Sequence, residues 1–153
     1  MPRLVLAPMR IEALAAGVPR LGSRPPDEPF VLVGTCGAVD PSLRAGDVVV
    51  ATELRHRHST LPVDATLADA LRPLKPRTGP IVTVDRIAGP DERAELGDAL
   101  AVDLESFWVE PQAVVRVVVD EAGRRLLHPR TLVAGVRALR TLRRVAKLLA
   151  SQA

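Results

Sequence analysis

The chain has 153 residues, a net charge of +3 from 21 basic and 18 acidic side chains, and 47% apolar residues, yet only two Phe, one Trp and no Tyr. That length reads as one domain, residues 1–153, with a core of Val, Leu and Ala; so few rings exclude a reader of single-stranded nucleic acid by base stacking, and so small a charge excess gives no ground for a nucleic-acid partner. The single cysteine, Cys36, excludes an intramolecular disulfide and fits a reducing, cytoplasmic setting, and neither a leader with a cleavage site nor an apolar run of bilayer length is expected.

Arg3–Ala7 (RLVLA) predicts a buried first strand. Met9–Ala16 predicts a helix, with Pro8 tolerated at its start and Gly17 at its end. Glu12 falls in the first turns of that helix, where a carboxylate suits the helix dipole. Val18–Pro29 carries Pro19, Pro25, Pro26 and Pro29 with two glycines and reads as loop. Phe30–Val33 is a short apolar strand that runs into Gly34-Thr35-Cys36-Gly37. Small residues at the end of a buried strand let a ligand approach the backbone, so this segment is a candidate binding floor; a tight strand-to-strand turn fits it equally well. Asp40-Pro41-Ser42 predicts a turn and Val48–Val50 a second strand.

Further on, Glu53–Thr60 places His56 and His58 on an expected solvated surface segment, with no third ligand at metal spacing. Thr66–Leu74 predicts a short helix with Thr66 as N-cap, Ile81–Val84 a strand, and Pro90–Leu96 a helix with Pro at its start and acids in its first turn. Ala99–Val102 predicts a strand ending in Asp103-Leu104-Glu105-Ser106, and Val114–Val119 a continuous β-branched strand ending in Asp120. Leu132–Ala150 is the longest predicted helix, with Leu132, Val136, Leu139, Leu142, Val145 and Leu149 at helical spacing and Arg137, Arg140, Arg143, Arg144 and Lys147 on the other face. That pattern is a docking helix with a solvated face, or a helix in weak contact with a membrane surface. Apolar strands alternating with helices predict an α/β fold with a mostly parallel central sheet flanked by helices. One join strains this reading. The connector between Val102 and Val114 is too short for an ordinary parallel crossover.

Three segments in order carry a resemblance. GTCGAVDPSLRAGDVVVAT resembles the central motif of the nucleoside phosphorylase and nucleosidase superfamily, ALAVDLES its A-x-D-M-E-S segment, and VRVVVDEAG the strand that ends in its catalytic aspartate. The amino-terminal LVLAPMRIEAL is similar to the family's first strand and helix. The resemblance implies a shortened nucleoside-phosphorylase-like fold, a purine nucleoside as ligand, no cofactor, and a homo-oligomer. Cleaving an N-glycosidic bond needs a proton for the departing base and a hold on the ribose hydroxyls. The resemblance assigns the first task to Asp120, which follows an apolar strand where desolvation raises a carboxyl's pKa. It assigns the second to Glu105, with Leu104 as the apolar contact under the sugar. It implies that Glu12 activates the attacking water, that Thr35 positions this water or a phosphate, and that Cys36 and Gly37 face the base. Ile87 falls where many relatives place an aromatic ring against the base. Asp103 reads as structural, a cap or backbone bracket.

Two departures bear on the acceptor. Phosphorylases place an arginine where this chain has Leu32, and their glycine-rich loop is reduced to Gly22. Both favour water; phosphate is the co-substrate if the chain is a phosphorylase. PMRIEAL, DLES, VRVVVD and ALRTLRRVA are most similar to the bacterial branch associated with hopanoid biosynthesis, which implies adenosylhopane as one 5′-substituted adenosine substrate. A non-catalytic nucleoside-binding module would need Thr35, Gly37 and Glu105 but be indifferent to Asp120. A scaffold using its basic helix would need none of them.

Overall fold

The computed structural model describes residues 3–86, 90–122 and 130–152. In order these form β1 (Leu4–Leu6), α1 (Arg10–Ala16), β2 (Phe30–Ala38), β3 (Val48–His56), β4 (Ser59–Pro62), α2 (Leu67–Ala70) with a 3-10 turn at Arg72–Leu74, β5 (Arg77–Thr83), α3 (Pro90–Ala94), β6 (Ala101–Asp103), α4 (Ser106–Val109), β7 (Ala113–Asp120) and α5 (Arg130–Ala150). The proline-rich stretch after α1 holds no strand or helix beyond the bridge from Ala7 to Arg20.

The central sheet closes on itself. β2 pairs with β6, β6 with β5, β5 with β3, β3 with β7, and β7 returns to β2, while β1 and β4 extend the ring at its edges. Four of the seven pairings are parallel and three antiparallel, so the sheet is parallel for the most part, as expected, with antiparallel pairs closing it. The antiparallel pairs resolve the short connector. β6 runs antiparallel to β2 and β7 runs parallel to β2, so the chain simply reverses between β6 and β7, and the four residues of α4 suffice.

Alternation along each strand builds two cores. Val31 and Val33 of β2 join Val48, Val50, Val115 and Val117 under α1 and α5. Leu32, Cys36 and Ala38 point the other way and join Val49, Ile81, Ala101, Val114 and Val118, a cluster drawn from all five strands of the ring. α5 docks through Ala138, Leu142, Val145, Ala146 and Leu149, all buried. Each large aliphatic buried there contributes ~1.5–3 kcal/mol, far more than its solvated arginines could. Val136 is the exception to the predicted stripe: it is 52% exposed. The side chain of Leu132 lies outside the described residues.

Gly34–Gly37 is strand, not a turn after one. All four residues pair with Arg116–Asp120 of β7, Gly37 pairs also with Val102 of β6, and the register slips by one between Cys36 and Gly37. His56 is also not on a solvated surface. It ends β3, is buried, and its Nδ1 lies 3.0 Å from the Thr83 carbonyl, with the Trp108 ring packed edge-on at 4.4 Å between centroids. The tight β3–β4 hairpin, with Arg57 in the left-handed region at φ 52°, turns the chain back there and leaves His58 exposed. Among the described residues no three His, Cys, Asp or Glu side chains cluster as a metal site, and no helix is long and apolar enough to cross a membrane.

Candidate active site

The ends of β2, β6 and β7 and the start of α1 surround a cavity of about 430 Å³. It is lined by Met9, Glu12, Thr35, Cys36, Gly37, Leu104, Glu105 and Asp120, together with Val84, Arg93, Val102, Asp103 and Val119. Every described residue that the sequence singled out as catalytic or substrate-binding is on that wall; Ile87 lies outside the described residues. A depression of about 480 Å³ between β1 and α5 is lined by Arg3, Arg143 and Lys147 and carries no acid, so it offers no proton chemistry.

Glu12 is 2% exposed and held at three points. Its Oε1 accepts from the backbone N–H of Thr35 at 2.9 Å and from Thr35 Oγ1 at 2.8 Å, and its Oε2 accepts from the Met9 N–H at 3.2 Å. The last bond is a helix N-terminal cap, so the dipole role and the site role of this carboxylate coexist.

Arg116 organises the opposite wall, and its role was not seen in the sequence. It is fully buried, opposite Gly34 in the β2–β7 register. Its Nη1 lies 3.1 Å from Glu105 Oε1 and donates to the Thr35 carbonyl at 3.3 Å; its Nη2 lies 3.1 Å from Asp103 Oδ2 and donates to Ser106 Oγ at 2.7 Å. Its Nε finds no acceptor among the described residues. Asp103 is tied down in turn by Thr83 Oγ1 at 2.7 Å, the Ser106 N–H at 3.3 Å and a short bond from Ser106 Oγ. The bracket expected of Asp103 is thus real, and it also carries the arginine. Glu105, at the end of the Arg116 fork, keeps part of its carboxylate open to the cavity. Burial pushes its pKa up, Arg116 pulls it back down, and Asp103 and Glu12 push it up again.

Gly34 serves this network rather than a ligand. A Cβ there would collide with Arg116 Nη1 and stand 3.1 Å and 3.2 Å from the two Glu12 oxygens. Because Arg116 is locked by four bonds it cannot give way. Gly34→Ala is therefore expected to lower the urea midpoint, at a cost of about 1–3 kcal/mol, where an ordinary Gly→Ala change at a free surface site would leave it unchanged or raise it.

Asp120 ends β7 with a side chain that is 9% exposed. Burial raises its pKa above the ordinary aspartate range, Arg93 opposes this, and Glu121 adds to it. Arg93 comes from α3 and is itself buried, with Nη2 3.3 Å from Asp120 Oδ2. Its placement had no signal in the sequence, because it depends on how α3 folds back over β2. Cys36 is no nucleophile: burial pushes its thiol up to about 12, with Arg116 the opposing influence. Leu104 is 44% exposed at the cavity rim.

No family model matches the chain, and no curated protein sequence matches it. Solved structures do. The chain is similar to the 5′-methylthioadenosine/S-adenosylhomocysteine nucleosidase of Campylobacter jejuni, with 16% identity, 96% of each chain covered and a TM-score of 0.71. The nucleosidase of Neisseria meningitidis in complex with methylthio-immucillin-A gives 18% identity, 95% of each chain and a TM-score of 0.71. An Asp-to-Asn mutant of the Helicobacter pylori nucleosidase with 5′-methylthioadenosine in its active site gives 16% identity, 97% of each chain and a TM-score of 0.70. The closed, helix-flanked sheet has the fold of these solved methylthioadenosine/S-adenosylhomocysteine nucleosidases, as the sequence motifs implied.

Proposed function

We propose that the chain hydrolyses the N-glycosidic bond of a purine nucleoside. The observation that carries this is the convergence of Glu12, Glu105 and Asp120, from three distant parts of the sequence, on one cavity. Asp120 gives a proton to the base as it leaves. Glu105, steadied by Arg116, accepts hydrogen bonds from the ribose hydroxyls. Glu12 takes a proton from water held beside Thr35, and its negative charge faces the cation-like sugar. Cys36 and Gly37 form the wall behind the base, and Leu104 lies under the sugar. The reaction uses only water and side chains.

Water is favoured over phosphate as acceptor. The described lining holds three carboxylates, Glu12, Asp103 and Glu105, and the acid Asp120, against the guanidinium of Arg93 and that of Arg116 bonded behind Asp103 and Glu105. Leu32, in the position of the phosphorylases' arginine, is fully buried in the core. A dianion entering such a wall meets net repulsion. The expected result is base release from a 5′-methylthio-nucleoside, followed by chromatography, at a rate that phosphate leaves unchanged. Strict dependence on phosphate would reverse the choice of acceptor.

The finer substrate reading rests on the rim. Met9, Val84 and Leu104 make it apolar, which suits a 5′ substituent with little polarity; 5′-methylthioadenosine and adenosylhopane are both of that kind. A homo-oligomer belongs to the same reading, because Met9 just before α1 and Ile11 and Leu14 on it are 53%, 56% and 82% exposed. The exposed basic face of α5 supports no more than weak contact with an anionic lipid surface of the cytoplasm.

A further inference from the structure

Asp120 has two opposed tasks in the reaction drawn above: to hold a proton while the substrate binds, and to release it as the base departs. Burial serves the first, because a desolvated carboxyl keeps its proton to higher pH than a solvated one. The second calls for a cation, and one is built into the wall. Arg93 of α3 is 3% exposed. Its Nη1 donates to the carbonyls of Ala38 at 3.2 Å and Asp120 at 3.4 Å, and its Nη2 lies 3.3 Å from Asp120 Oδ2.

The backbone is shaped around that guanidinium. β2 and β7 slip register between Cys36 and Gly37, which sets Gly37 opposite Asp120. A Cβ at Gly37 would stand 3.1 Å from Arg93 Nη1 and 3.3 Å from Val102 Cγ2, so the glycine leaves the space that the arginine fills. One side chain thus joins the ends of β2 and β7 through two carbonyls and also grips the carboxyl.

We infer that Arg93 is a positioning residue for the general acid: it holds Asp120 by Oδ2, leaves Oδ1 to carry the proton to N7, and stabilises the carboxylate that forms as the proton leaves. This rests on the nucleosidase reading, with Asp120 at N7. As the C1′–N9 bond breaks, its electron pair passes to the purine. The Asp120 proton goes to N7, the water oxygen bonds to C1′, and the water proton goes to Glu12. Asp120 is neutral before this step and anionic after it. A guanidinium at 3.3 Å, with both side chains nearly shut off from solvent, favours the later state over the earlier one and need not reorient to do so. The other charged group that bears on Asp120 is Glu121, which opposes Arg93 and whose Oε2 accepts from the Ala45 N–H at 3.0 Å. Glu12, Asp103 and Glu105 share the cavity wall.

The test is the pH profile of kcat/KM for adenine release from 5′-methylthioadenosine by wild type, Arg93→Gln and Arg93→Lys. Gln removes the charge. Its maximum is expected to fall by roughly tenfold or more, short of the loss on removing the acid itself. Its alkaline limb is expected to move to higher pH, because without the cation Asp120 keeps its proton longer. Lys keeps the charge without the planar fork. Its limb is expected to stay near that of wild type, with a maximum between those of wild type and Arg93→Gln. In an Asp120→Asn background, Arg93→Gln is expected to cost no further activity. A packing role alone would lower the maximum and leave the limb in place. That result, an unchanged profile, or an additive loss in the double variant would overturn the role of Arg93 and leave the nucleosidase reading standing. No base release by wild type removes that reading and the proposal with it. Should Arg93→Gln not fold, Arg93→Lys decides: a lowered maximum with an unmoved limb sustains the proposal, and a maximum equal to that of wild type overturns it.

Discussion

Asp120→Asn is expected to lower base release by about 10²–10⁴-fold while leaving binding of the free base within reach of calorimetry. The amide matches the acid in shape but has no proton to give at N7. Its pH profile sharpens the test. A general acid works in its protonated form, so kcat/KM falls as pH rises through the pKa of Asp120. Burial raises that pKa, and Arg93 only partly offsets it, so the fall is expected at higher pH than a solvated aspartate would give. Asp120→Asn should lose this limb altogether. Unchanged turnover in the variant would show that the proton comes from elsewhere. Unchanged base binding with no turnover in either protein would favour a nucleoside-binding module.

The second large effect is on folding. Arg116→Met is expected to destabilise the protein by about 3–5 kcal/mol, a large share of the 5–15 kcal/mol typical of a domain. Met fills much of the volume but leaves Asp103 and Glu105 without their cation in a buried setting. Removing the carboxylate as well should recover part of the loss, so Arg116→Met with Asp103→Asn is expected to unfold at a higher urea concentration than Arg116→Met alone. An unchanged midpoint in the single variant would mean that the network contributes nothing to stability. Arg116→Lys retains a charge but cannot span Glu105 and Asp103 with one planar fork. Its expected signature is a raised KM from a loosened Glu105, with a smaller loss of stability.

Much of this was present in local sequence. The strand and helix order followed from apolar runs and proline or glycine punctuation, and α5 from its 3.6-residue stripe, because both signals depend on neighbours a few positions apart. The candidate site residues were legible through motif resemblance, and the cavity gathers all of those that are described. Arg116 left a faint mark, a charged residue inside the β-branched run Val114–Val119. Alternation alone would have sent it into the core with Val114 and Val118, where an arginine needs carboxylate partners. Those partners, Asp103 and Glu105, were already in view as a separate motif.

Sequence by itself determined most of the strands and helices and the docking face of α5, since these follow from short-range periodicity, and the motif resemblance picked out three carboxylates; it did not show β4 or α4. Tertiary structure alone decided four things. The ring is closed by antiparallel pairs, which depends on β6 and β7 reversing between them. Gly34-Thr35-Cys36-Gly37 is strand because β7, distant in sequence, pairs with all four of its residues. Gly34 is small to admit Arg116, not a ligand. Arg93 meets Asp120 because α3 folds back across β2, a contact between residues 27 positions apart whose energy exists only once water has been excluded from around them.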